Sequence, residues 1–94
     1  MRKRYLVAYD IRDPKRLRAV ARVLEAYGHR LQYSVFVCDL TFGELCDLRL
    51  EVREEFLATV DSVVIIPLGA GYDVTLFEFM GVRPSLPVDG ARIV

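Results

Sequence analysis

Two helix-start signatures, Asp13-Pro14 and Thr41-x-x-Glu44, cut an otherwise strand-rich sequence into pieces and so constrain its fold more than any other feature. Aspartate before proline sets a side-chain acceptor at the N-cap and a residue without N–H at the first helical position, where that N–H has no partner anyway. Leu17, Val20, Leu24 and Tyr27 then recur at helical spacing up to Gly28. This predicts a helix of about four turns that the glycine ends. Thr41 and Glu44 form a capping-box pattern, and Leu45, Leu48, Val52 and Phe56 predict a second amphipathic helix over residues 42–58 with an acidic outer face.

What surrounds these helices reads as strand. "RYLVAYD" (4–10) sets Tyr5, Val7 and Tyr9 on one face and Leu6, Ala8 and Asp10 on the other. "HRLQYSVFVCDL" (29–40) carries strand residues throughout but exceeds the usual strand length, so a bend or tight turn is expected near Gln32-Tyr33-Ser34. "SVVIIPL" (62–68) is continuously apolar, as in a central strand, and "GAG" (69–71) breaks it before another alternating run, "VTLFEF" (74–79). The order strand, helix, strand, strand, helix, strand predicts an α+β, ferredoxin-like βαββαβ fold: a single antiparallel sheet backed by two helices, with one or two extra C-terminal strands. Residues 1–81 form the domain, and 82–94 read as an arm with a short terminal strand, 91–94.

The chain has 94 residues and is 53% hydrophobic, enough for one small core. No apolar run approaches the ~18 residues of a membrane helix, and the stretch after Met-Arg-Lys-Arg ends at Asp10, too soon for a signal-peptide core. A cytoplasmic protein without membrane contact is expected. Cys38 and Cys46 lack a neighbouring thiol or histidine and read as small hydrophobes, and His29 as a strand-start residue. Helices on one side leave the other face of the sheet, rich in Tyr, Val and Phe, without cover. That predicts a homodimer packed sheet to sheet, with the appended strands free to extend a partner's sheet edge.

Charge is uneven although the net charge is zero: residues 1–30 hold nine Lys or Arg against three Asp or Glu, and residues 31–94 hold four against ten. A basic first third favours a polyanionic partner. Lys15, Arg16, Arg18 and Arg22 fall between the apolar positions of the first helix and give it a basic outer face. Asp13 reads as the helix cap and Asp39 as a surface residue at a strand end. Asp10 ends an apolar strand in a carboxylate with arginines just beyond it, and neither composition nor periodicity explains it.

"YLVAYDI" before the charged helix, then "RLQYSVFVCDL", then "DSVVIIPL" together resemble the CRISPR-associated Cas-two family, in order across residues 4–68. The resemblance implies a ferredoxin-like homodimer that binds DNA or RNA, a magnesium-dependent endonuclease activity in several members, and a complex with the spacer integrase in which the dimer is a platform. By position it implies Asp10 as the catalytic, metal-binding residue, and a dimer seam near Tyr9, Arg30, Gln32, Tyr33, Ser34 and Phe36. Val37 stands where many relatives are acidic.

Phosphodiester hydrolysis with magnesium needs oxygen ligands and nearby positive charge, and one aspartate per chain is too few. A twofold axis between two Asp10 side chains is the simplest completion. Arg12, Arg16, Arg18 and Arg30 are the candidates for phosphate contact, without base specificity. Tyr9, Tyr33 and Phe36 offer rings for base stacking or for a core or interface. Two functions follow, a metal-dependent nuclease and a catalytically silent DNA platform for the integrase. A third, a small-molecule regulatory domain, calls for a Gly-rich loop where this chain has Asp-Pro-Lys-Arg.

Overall fold

Period-two burial in the first strand organises everything else. The computed structural model describes residues 1–70 and 77–82, and the backbone of 92–93. In β1 (Lys3–Asp10), Tyr5, Val7 and Tyr9 are buried while Leu6 and Ala8 on the other face are half-buried. The chain continues through α1 (Pro14–Glu25), β2 (Gly28–Gln32), β3 (Val35–Leu40), α2 (Phe42–Arg53), β4 (Ser62–Gly69), β5 (Glu78–Phe79) and β6 (Arg92–Ile93). β1 pairs antiparallel with both β3 and β4, and β3 with β2, in the order β2-β3-β1-β4. This is the α+β, ferredoxin-like arrangement that the order of elements predicts.

Both helices lie on one face. Val20, Ala21 and Leu24 of α1 and Leu45, Leu48 and Val52 of α2 close over Tyr5, Val7, Tyr9, Phe36, Cys38 and Leu40 in one core. Both helix starts are as expected. The Asp13 carboxylate accepts from the Arg16 N–H at 2.9 Å. In α2 the Glu44 N–H donates to Thr41 Oγ1 at 3.1 Å and the Thr41 N–H to Glu44 Oε1 at 2.8 Å. Cys38 and Cys46 are free thiols, and burial pushes the Cys38 thiol up to about 11.

Several expectations change. Gly28 does not end α1: the helix closes on Ala26, whose φ is −75°. Gly28 opens β2 instead, where a Cβ would lie 2.2 Å from the Val37 carbonyl oxygen and 2.5 Å from Cys38 Sγ. Helix α2 ends at Arg53, not 58, because Asp61 takes up the backbone beyond it: its carboxylate accepts from the Leu57 N–H at 2.9 Å and its own N–H donates to the Leu57 carbonyl at 2.8 Å. β4 is an edge of the sheet and not a central strand. Pro67, which has no N–H to give a second neighbour, fits that place beside the register shift opposite Arg4/Tyr5. Gly69, at φ +85°, then turns the chain out of β4.

The appended strands join each other in a separate parallel ladder, Glu78 opposite Arg92 and Phe79 opposite Ile93, and do not extend the main sheet. Of the expected strand over 74–79, residues 74–76 lie outside the described residues, as do most of the arm, 83–91, and Val94. Phe77 and Phe79 cross back onto the helix-free face, where Phe79 is buried with Leu31 and Val37 and packs near Leu6 and Val35. They pack over Leu31, Val35 and Val37 and reach Leu6 of β1. On the β4 side Val64 and Ile66 stay 48% and 42% exposed.

Candidate metal and nucleic-acid site at the end of the sheet

Chain direction brings the candidate residues together. β1 runs out at Asp10, antiparallel β4 enters at Ser62 directly opposite, and α1 begins four residues beyond Asp10, at Pro14. The β2–β3 connection is the expected tight turn, Tyr33-Ser34, and it closes on the same end: the Tyr9 N–H donates to the Ser34 carbonyl at 3.1 Å. One end of the sheet thus gathers Asp10, Arg12, the start of α1, Tyr33, Ser34 and Ser62.

Asp10 shares a face with Leu6 and Ala8, the face the helices leave open, because side chains alternate along β1. It is exposed, and no hydrogen bond or ion pair from the described residues engages its carboxylate. It neither caps a turn nor pairs with Arg12. Magnesium takes hard oxygen ligands and is usually held by one or two carboxylates while keeping several waters. An uncommitted carboxylate fits that chemistry as one ligand. No group of three or more His, Cys, Asp or Glu able to hold a metal occurs among the described residues.

The four arginines have different surroundings. Arg12 and Arg18 are exposed, with no ion pair among the described residues. Arg16 is turned back into the fold: its Nε donates to Asp61 Oδ2 at 2.7 Å and its Nη2 to Asp61 Oδ1 at 3.2 Å. This guanidinium, with the Leu57 N–H, holds the Asp61 carboxyl below the usual carboxylate range. Arg30 lies along the β2 edge, its Cζ 5.1 Å from the Phe36 ring centre and 6.0 Å from that of Tyr33, with Nη2 3.6 Å from a Glu25 oxygen.

The aromatics divide just as sharply. Tyr9 and Phe36 belong to the core under the helices, 5% and 0% exposed, with ring centres 6.3 Å apart. Phe36 therefore presents no side-chain surface to a base or a second chain and contributes to a seam only through the strand it anchors. Burial pushes the Tyr9 phenol above its ordinary value, which keeps it a donor, and it bonds the Tyr33 carbonyl at 3.3 Å. Tyr33 is 70% exposed. Ser34 is half-buried in the turn. Asp61 and Ser62 are the residues that sequence reasoning missed here. A polar pair just ahead of an apolar strand reads as surface, and only pairing with Arg16 and Asp10 reveals its place.

The family model described as CRISPR associated protein Cas2 matches residues 2–75. The chain is 37% identical to the CRISPR-associated endoribonuclease Cas2 3 of Synechocystis sp., covering 96% of this chain and 97% of that one. It is 36% identical to the CRISPR-associated endonuclease Cas2 of Halalkalibacterium halodurans, covering 94% and 96%. Among solved structures, a hypothetical protein TT1823 from Thermus thermophilus superposes with a TM-score of 0.77 at 35% identity, over 90% of this chain and 98% of that one. Streptococcus pyogenes Cas2 at pH 6.5 gives 0.68 at 36% identity, over 72% and 88%.

Proposed function

The chain belongs to the CRISPR-associated protein Cas2 family, and from that premise we propose that it works in spacer acquisition, in the cytoplasm, as a nucleic-acid-binding homodimer that hydrolyses phosphodiester bonds with magnesium held between two Asp10 carboxylates. The observation that carries this reading is the state of Asp10: exposed, without a partner among the described residues, and on the face of the sheet that the helices leave apolar and open. Val64 and Ile66 make that face costly to leave in water, and a second copy of the same face covers it with its own apolar strand. Asp10 of each copy then stands at the border of the buried patch.

Magnesium bound there would neutralise charge at the phosphoryl oxygens and would orient a coordinated water for attack. Asp10 contributes a ligand oxygen from each chain. Arg12 and Arg18, both exposed, contact backbone phosphates without reading bases. Arg16 acts behind them by holding the first turn of α1 to Asp61. The names of the relatives, endoribonuclease and endonuclease, support hydrolysis of RNA or DNA.

The test is cleavage of single-stranded RNA and duplex DNA with magnesium or with a chelator. Cleavage is expected to need the metal and to fall at least about 100-fold in Asp10→Asn. Equal cleavage by Asp10→Asn contradicts the hydrolytic reading. A second reading, a catalytically silent DNA platform for the spacer integrase, is supported by the exposed Arg12 and Arg18, which suit duplex-backbone contact whether or not cleavage follows. It predicts duplex binding that Arg12→Ala and Arg18→Ala weaken, with no cleavage by the parent protein.

A further inference from the structure

Strand register sets a hydroxyl beside the Asp10 carboxylate. On the face that the helices leave open, the residues paired directly across β1 and β4 are Leu6 with Ile66, Ala8 with Val64 and Asp10 with Ser62. Two of these pairs are apolar, and the polar one stands where the face ends. Val63 and Ile65 pack against the core from the other side of β4, so Ser62 shares the face of Asp10 by alternation. Side chains directly opposite in an antiparallel pair stand about 4.5–5.5 Å apart at Cβ, near enough for a χ1 rotation to join a hydroxyl to a carboxylate. Ser62 is exposed, and no hydrogen bond from the described residues engages its hydroxyl. Its backbone is nevertheless fixed, because Asp61 just before it holds Arg16 and the Leu57 N–H, and the one register shift in this ladder lies at the far end, at Arg4/Tyr5. On the other flank of β1 the ladder with β3 ends at Ala8 opposite Val35, so no β3 residue stands in register with Asp10.

We propose that Ser62 is a positioning residue for the site at Asp10: its hydroxyl donates to one oxygen of the Asp10 carboxylate and leaves the other oxygen to face the metal. This rests on the reading of Asp10 as a metal ligand. A carboxylate that holds a metal is itself hydrogen-bonded as a rule, and that partner fixes its orientation and tunes its affinity. Serine suits the place because it gives one O–H donor and no charge, so the carboxylate keeps the negative charge that a divalent cation needs. A lysine or arginine opposite Asp10 would instead compete with the cation.

Manganese, which shares magnesium's preference for oxygen ligands, is the probe, with the free ion read by electron paramagnetic resonance as the full chain is titrated without nucleic acid. The parent protein is expected to bind it and Asp10→Asn to lose that binding. Ser62→Ala is expected to bind about tenfold more weakly, the lower end of what removing such a partner costs. Ser62→Thr keeps the hydroxyl on a side chain that suits a strand and is expected to bind like the parent. Metal-free Ser62 variants are expected to melt with the parent, since the residue is exposed. Manganese binding by Ser62→Ala as tight as the parent's, or by Ser62→Thr as weak as that of Ser62→Ala, overturns the positioning role while the Asp10 site stands. A Ser62→Ala protein that melts well below the parent overturns it too, because its loss of affinity then follows from folding. A parent protein that binds no manganese, or an Asp10→Asn protein that binds it equally well, contradicts the reading of the site itself.

Discussion

Arg16 grips Asp61 with two hydrogen bonds, 2.7 and 3.2 Å long, and the Asp61 side chain is only 2% exposed. The pair joins the first turn of α1 to the residue that starts the run into β4. Because Ser62 pairs with Asp10 across the strands, this one contact fixes both sides of the candidate site. Asp61→Ala leaves the guanidinium without its carboxylate and the Leu57 N–H without its acceptor. It is expected to lower the Tm by roughly 5–10 °C. A melting curve superimposable on that of the parent protein refutes the role.

The same pair gives stability a pH dependence. Among the described residues, three carboxyls sit below their ordinary values: Asp61 chiefly through Arg16, Asp39 through the Arg4 hydrogen bonds, and Glu44 through the Thr41 N–H. A carboxyl with a depressed folded pKa stabilises the fold above its unfolded pKa and loses that contribution as pH falls through the folded value. Unfolding midpoints should therefore be flat near neutrality and drop below about pH 4. In Asp61→Asn part of that acid-side drop disappears, which a pH series of denaturant midpoints reads directly.

Gly28→Ala places a methyl 2.2 Å from the Val37 carbonyl oxygen, a backbone atom of the neighbouring strand that cannot move alone. The strands must separate or shift register. A loss of about 3 kcal/mol or more is expected in urea unfolding, at the upper end of overpacking effects. Gly43→Ala, where no atom lies within 4 Å of the added carbon, is the matched control and is expected to be neutral or stabilising.

Thr41→Ala removes the acceptor for the Glu44 N–H and breaks the reciprocal box at the start of α2. About 1 kcal/mol is expected from the cap alone. Thr41→Ser keeps the hydroxyl and should restore most of the denaturant midpoint.

How far the sequence carries depends on the range of the interaction. Both helix starts are legible because Asp13 and Thr41 act within three residues of themselves, and the order of the elements then leaves few topologies. Gly28 misleads because a glycine after a helical run has two meanings, a left-handed stop and a close approach, and the second depends on Cys38 in another strand. β4 misleads because a continuous apolar run reads as buried on both faces. Pro67 is the local sign of an edge, and an apolar edge strand is what an open sheet face looks like in sequence. Asp61 is invisible because Arg16 lies 45 positions away. The strand-end carboxylate at Asp10 is legible as unexplained by the fold, but its freedom from partners is a property of the packed structure.

Whether two Asp10 carboxylates serve one site is measured most directly by subunit mixing. Wild-type and Asp10→Asn chains are unfolded together in different proportions and refolded, and magnesium-dependent cleavage is read against the wild-type fraction. If both carboxylates are needed, activity follows the square of that fraction, because only dimers with two wild-type chains cleave. A straight line means that each chain carries a complete site, and it contradicts the shared one.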